Sequence, residues 1–191
     1  MDAIKIDAER VLGPVERRLL GGIVEHCGSL VYGGLVDART GALREDTAGA
    51  LREVGVPLLR WPGGNFASGY HWQDGVGPRE RRPVRFDLEW QAEEPNTFGT
   101  DEYVAACRAL GAAPYLCANA GSGTAEEAAR WVEYCNRDGR SSHAALRAAN
   151  GHPRPHGVPL WGIGNEVYGR GQIGRADVDG YIGTVKEFSR L

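Results

Sequence analysis

The chain has 191 residues, 42% of them hydrophobic and 25% charged, which is enough for one sizeable domain and reads as a soluble globular protein. A net charge of −3 argues against a nucleic-acid partner, and among the 22 basic residues only Lys5 and Lys186 are lysine. No run of about 18 apolar residues occurs and the first residues carry charges every few positions, so no membrane partner is expected and the cytoplasm is the expected location.

The first strand candidate is "GGIVEHCG" (21–28). Alternation along it sends Glu25 and His26 to opposite faces, so at most one of them belongs to a site. A lone histidine here is more often a satisfied structural group, because nothing supplies a three-ligand metal set. "DTAGALREVG" (46–55) reads as a short helix ending at Gly55, and "VPLLRWPGG" (56–64) as the second strand. The stretch "LRWPGGNFASGYHW" (59–72) delivers Arg60 on a strand, turns through W-P-G-G, and brings Asn65 in with Tyr70 and Trp72. An amide offers both donor and acceptor, which suits a sugar hydroxyl, whereas Trp61 by itself reads as core.

Residues 62–99 make a long connection after the C-terminal end of a strand, the place where parallel α/β folds build their sites. "TDEYVAACRALG" (100–111) puts Tyr103, Val104, Cys107 and Leu110 on one helical face, and "APYLCANAG" (113–121) follows as a strand. In "TAEEAARWVEYCN" (124–136), Thr124 and Glu127 have capping-box spacing, and Ala128, Trp131, Val132 and Cys135 form the apolar stripe. A second long connection, 136–158, leads to "PLWGIGNE" (159–166), and residues 177–191 form a last amphipathic helix through Val178, Tyr181, Ile182, Val185 and Phe188. Strands alternating with helices predict βαβ units and a parallel sheet, either doubly wound or part of a (β/α)8 barrel.

Glu166 ends the fourth strand, so its carboxyl would project into the cleft at the sheet's C-terminal edge, where desolvation by neighbouring tryptophans would suit a general acid. On spacing alone it is equally a cap or an arginine's partner. "GRGQIG" (169–174) is a literal G-x-G-x-x-G, but it does not sit on a strand-to-helix turn and lacks an acidic residue about 20 positions later, so a nucleotide-binding domain is the weakest reading. "GSGT" (121–124) opens a helix, but Glu126 stands where a third glycine belongs. Cys27, Cys107, Cys117 and Cys135 show no C-x-x-C pairing and read as reduced, mostly buried thiols.

"VEHCGSLVYGGL", "LRWPGGNFASGYHWQDGVGP", "NTFG", "GSGTAEEAARWVEYCN" and "WGIGNE", in that order over residues 23–169, closely resemble the α-L-arabinofuranosidases of glycoside hydrolase family 51. The resemblance covers most of this chain but only the front of a typical family member. It implies a (β/α)8 barrel, of which residues 21–191 would form about the first four βα units. It also implies that residues 1–20 would pair with a β-sandwich. The implied activity is the retaining release of terminal L-arabinofuranose from arabinan- and arabinoxylan-type chains, with no cofactor and no metal. By the same resemblance Glu166 matches the general acid/base, and Asn165, Asn65 and Glu25 match residues that hydrogen-bond arabinose. Arg60 would support that pocket and Trp90 would line the aglycone side.

A retaining mechanism needs a second carboxyl group about 5 to 5.5 Å away as nucleophile. In the family this is a glutamate on a later strand, so these residues are expected to be inactive alone. A half barrel has open edges and an uncovered face, which predicts self-association, as a homo-oligomer or with a complementing C-terminal half. A noncatalytic sugar-binding or assembly fragment is the alternative.

Overall fold

The apolar alternation of four segments is realised as one parallel sheet in this computed structural model, which describes residue 4 and residues 7–191. In chain order the strands are β1 (Gly22–Ile23), β2 (Leu58–Trp61), β3 (Arg85–Asp87), β4 (Ala92–Glu94), β5 (Ala113–Ala118) and β6 (Leu160–Ile163). The α-helices are α1 (Glu45–Val54), α2 (Thr100–Leu110), α3 (Ala125–Asn136), α4 (Ser142–Ala149) and α5 (Val178–Phe188). The main sheet has the order β1-β2-β5-β6, with every pairing parallel, so each successive strand joins at the same edge. A doubly wound sheet would reverse direction at a switch point, and the described sheet has none. Its end strands, β1 and β6, do not pair with each other.

The two faces of the sheet differ. Val24, Leu59, Trp61 and Leu116 point to the helical side and join one apolar core with Tyr103, Val104, Cys107 and Leu110 of α2 and with Trp131, Tyr134 and Cys135 of α3. The α2 face is the one the sequence periodicity predicts. On the opposite side the register aligns Ile23, Arg60, Tyr115 and Leu160. This side is uncovered: Ile23 is 58% exposed, and the other three are half-buried.

Helix termini follow the local signals. Gly55 and Gly111 close α1 and α2 in the left-handed conformation that glycine adopts without strain. Thr124 caps α3, its hydroxyl accepting from the Glu127 amide at 3.1 Å. The reciprocal arm of the predicted capping box is absent from the described hydrogen bonds, because the Glu127 carboxylate accepts from His71 instead. The α3 stripe is also rotated from the predicted one: Tyr134 is fully buried, whereas Val132 is 38% exposed. Two aromatic clusters set that rotation, with Trp131 stacked parallel to Trp72 and Tyr134 packed against Trp72 and His156.

Both long connections contain structure that periodicity did not reveal. Residues 62–99 hold the antiparallel β3–β4 hairpin, and residues 136–158 hold α4. Strands of three residues are too short to show an alternation pattern. The last helix, α5, packs beside α3 and is tied to β6 by the Tyr181 hydroxyl, which donates to the Ile163 carbonyl, yet it buries no residue fully. The expected sandwich contact of residues 1–20 falls partly outside the described residues; within the described part, a short 3-10 turn (Arg17–Leu20) precedes β1.

Candidate active site

Strand alternation explains how the candidate residues meet. Arg60 points away from the helical core while its neighbours Leu59 and Trp61 point into it, so the guanidinium lies on the uncovered face above Tyr115, 5.9 Å from the ring centre. There Nη2 of Arg60 donates to Oδ1 of Asn165 at 3.2 Å and to Sγ of Cys117 at 3.1 Å. Burial pushes the Cys117 thiol up, so it stays protonated and donates in turn to the Gly164 carbonyl at 3.2 Å. The turn that carries Asn165 is therefore held at both ends. Nδ2 of Asn165 donates to Oδ1 of Asn65 at 3.0 Å. The direction of this relay leaves the Asn65 amide nitrogen without an acceptor among the described hydrogen bonds.

Glu25 lies at the end of β1, where its Oε1 accepts from the Phe66 amide at 3.0 Å and from Nε1 of Trp90 at 3.2 Å. Its side chain lies against the Gly63–Gly64 backbone: a Cβ at Gly63 would come within 2.4 Å of Cγ, and one at Gly64 within 2.6 Å of Oε2. That close approach is the physical reason for the paired glycines after Trp61 and Pro62. Trp90 sits at the tip of the β3–β4 hairpin, 40% exposed, its amide held by Asp87 at 2.7 Å. Glu166 follows Asn165 with a left-handed backbone (φ 42°) and an exposed side chain. The tryptophan-lined burial expected for Glu166 is not supplied by these residues, because Trp161 points to the helical side.

The structure thus brings Glu25, Arg60, Asn65, Trp90, Asn165 and Glu166 to the C-terminal edge of β1, β2 and β6. Cys117 and the Phe66 amide belong to the same constellation. Neither carries a sequence signal, since a thiol one strand away and a backbone N–H become partners only through register. His26, facing the other way as alternation requires, is a buried structural group. Nε1 of Trp61 donates to its Nε2 at 3.0 Å, so Nδ1 bears the proton and donates to Glu94 at 2.8 Å. The Glu94 carboxylate also accepts from the Tyr32 hydroxyl and the Asn96 amide. Burial alone would raise the Glu94 carboxyl, but these three donors outweigh it and hold the group below its ordinary value.

No group of metal-ligating side chains occurs among the described residues. The glycines of "GRGQIG" form a brace and no phosphate cradle: Gln172 is buried and donates to the Ser68 hydroxyl, and the Ile173 amide donates to Glu89 of the hairpin at 3.2 Å. All four cysteines are free, three of them buried.

A parallel α/β sheet with amide and carboxylate side chains gathered at its C-terminal edge defines the class. The particular family follows from three comparisons. The profile of the α-L-arabinofuranosidase 1 domain matches residues 50–176. Alpha-L-arabinofuranosidase C of Emericella nidulans is 43% identical over 183 residues, which span 93% of this chain and 36% of that protein. Intracellular exo-alpha-(1->5)-L-arabinofuranosidase 1 of Bacillus subtilis is 39% identical over 181 residues, again 36% of its length. Among solved structures, the α-L-arabinofuranosidase of Thermotoga maritima in its arabinose complex superposes with a TM-score of 0.88 at 48% identity, over 94% of this chain and 38% of that one. The family 51 enzyme AbfB of Bifidobacterium longum gives a TM-score of 0.92 at 36% identity. The chain belongs to the α-L-arabinofuranosidases of glycoside hydrolase family 51, and it spans little more than a third of the length of the relatives it matches.

Proposed function

We propose that this chain carries the arabinose-binding and acid/base part of a retaining α-L-arabinofuranosidase acting on arabinan- or arabinoxylan-type saccharides, built on the first four βα units of a (β/α)8 barrel. The observation that carries the reading is the Arg60–Asn165–Asn65 relay set beside Glu25 and Glu166 at one sheet edge. The same-edge strand order and the placement of helices on one face of the sheet support the barrel. In this reading the Asn65 amide and the Glu25 carboxylate hold ring hydroxyls, and polar groups matched to hydroxyls in this way discriminate strongly against analogues that lack them. Glu166 protonates the departing glycosidic oxygen and later takes a proton from the attacking water. Trp90 lines the side where the rest of the saccharide leaves.

The nucleophilic carboxylate would come from outside residues 1–191. Beyond Glu166, Asp177 is occupied as the cap of α5, accepting from the Gly180 amide at 2.9 Å, and Asp179 and Glu187 are exposed on that helix. A cytoplasmic location is part of the proposal. It accords with the name of the Bacillus subtilis relative and with the lack, among the described residues, of a helix long and apolar enough to cross a membrane.

The test is a titration of L-arabinose into the purified chain, followed by amide NMR shifts. We expect saturable shifts around Asn65 and Asn165. Asn165→Asp, which removes the donor facing Asn65, should weaken binding by about tenfold, the worth of one buried hydrogen bond. Shifts that leave these residues untouched would refute the binding site. Turnover of an aryl α-L-arabinofuranoside by this chain, abolished in Glu166→Gln, would refute an external nucleophile.

A further inference from the structure

The loop 150–158 between α4 and β6 lies at the end of the sheet opposite Glu166, and it borders a concavity of about 560 Å³ whose chemistry the arabinose site does not use. Arg108, Arg154, His152 and His156 line it, and no carboxylate does. Among the described contacts Arg154 forms no ion pair, and the Arg108 guanidinium donates only to the His156 carbonyl at 3.1 Å. Three of the loop carbonyls are already occupied by arginines. Those of His152 and Pro153 accept from the guanidinium of Arg147 at 3.0 and 3.5 Å, and that of His156 accepts from Arg108.

Arg147 adds a second, independent observation. It is 1% exposed, and its described partners are all carbonyls, the other two belonging to Tyr134 and Arg137 at 2.6 and 2.8 Å. A buried guanidinium without a carboxylate is an uncompensated charge directly behind the concavity. Asp101 is shared among the Tyr134 hydroxyl, Nε2 of His156 at 2.7 Å and Nε2 of His152 at 3.7 Å. Because Nε2 of His156 donates to Asp101, its buried Nδ1 is an acceptor, and it has no partner. Arg108, Arg147 and Arg154 thus lie around the loop, and none of the three pairs with a carboxylate among the described contacts.

We propose that this concavity binds a small oxyanion, held by the guanidinium groups of Arg108 and Arg154. The source is either the phosphate of a phosphorylated metabolite or the carboxylate of a uronic acid. The site stands apart from the proposed arabinose pocket, and neither depends on the other.

The probe is inorganic phosphate, titrated into the chain at constant ionic strength with chloride as the balancing anion, and read by amide shifts and by melting temperature. Saturable shifts at Arg154 and His156 are expected, with a dissociation constant on the order of 1 mM and an upward shift in melting temperature. The double variant Arg108→Ala/Arg154→Ala should weaken binding at least tenfold, whereas Arg130→Ala, on the exposed face of α3, should leave it unchanged. Replacing phosphate by D-glucuronate separates the two sources, and binding of either one upholds the site. Shifts that do not saturate, that persist in the double variant, or that L-arabinose reproduces at the same residues would overturn it.

Discussion

Glu94 shows how a residue outside the reacting cluster sets its geometry. It anchors the hairpin that carries Trp90, and three donors, from His26, Tyr32 and Asn96, converge on its carboxylate. Glu94→Gln would turn an NH2 group toward one of them, so we expect a loss of about 1 to 3 kcal/mol in denaturant unfolding. The sign of the pH dependence follows from the depressed carboxyl: its contribution is present above the ordinary glutamate value and is lost as pH falls through the lower folded-state value. Acid unfolding curves of the parent should therefore fall more steeply below about pH 4.5 than those of Glu94→Gln. Parallel curves would show that the carboxylate is not held as described. In the cluster that it borders, Glu25 and Asn165 were singled out by the family resemblance and Glu166 by its place at a strand end. Glu94 was not, because its partner His26 is 68 positions away and only the fold joins them.

At the scale of elements, α3 shows what local sequence controls. Its start was readable because a cap acts over three residues, and the Thr124 hydroxyl meets the Glu127 amide. Thr124→Ala should cost about 1 kcal/mol in chemical unfolding, with Thr124→Ser restoring most of it. An unchanged midpoint would mean that the helix end is held by packing alone. Its buried face was misread because periodicity gives a stripe and does not say which edge of that stripe the neighbours reach. Trp72, which arrives from the 62–99 connection, draws Trp131 and Tyr134 inward and leaves Val132 at the surface. The hairpin and α4 escaped for a related reason: both are short, and their stability comes from contacts to distant segments.

For the whole molecule the decisive feature is an asymmetric sheet. Parallel sheets are normally covered on both faces, yet here only the helical side is covered. Ile23 is 58% exposed on the open side, and β6 has one unpaired edge, with Val178 and Ile182 exposed on the adjoining α5. We expect the chain to associate with itself or with a covering polypeptide. Sedimentation should rise with concentration, and Ile23→Lys should reduce the rise by placing a charge on that face. A monomer at all concentrations with a cooperative melt would contradict this.

The sequence by itself determined the parallel α/β class, the positions of the four sheet strands, the α2 face, the cap of α3 and the strand-end placement of the polar cluster, because each rests on contacts within a few residues or on a fixed side-chain period. Tertiary structure alone decided the same-edge strand order, the pairing of Arg60 with Asn165 across 105 residues and of Asn165 with Asn65 across 100, and the exposure of Glu166. Those outcomes depend on register between strands and on which segment covers which face, and both are fixed only when distant parts of the chain pack together.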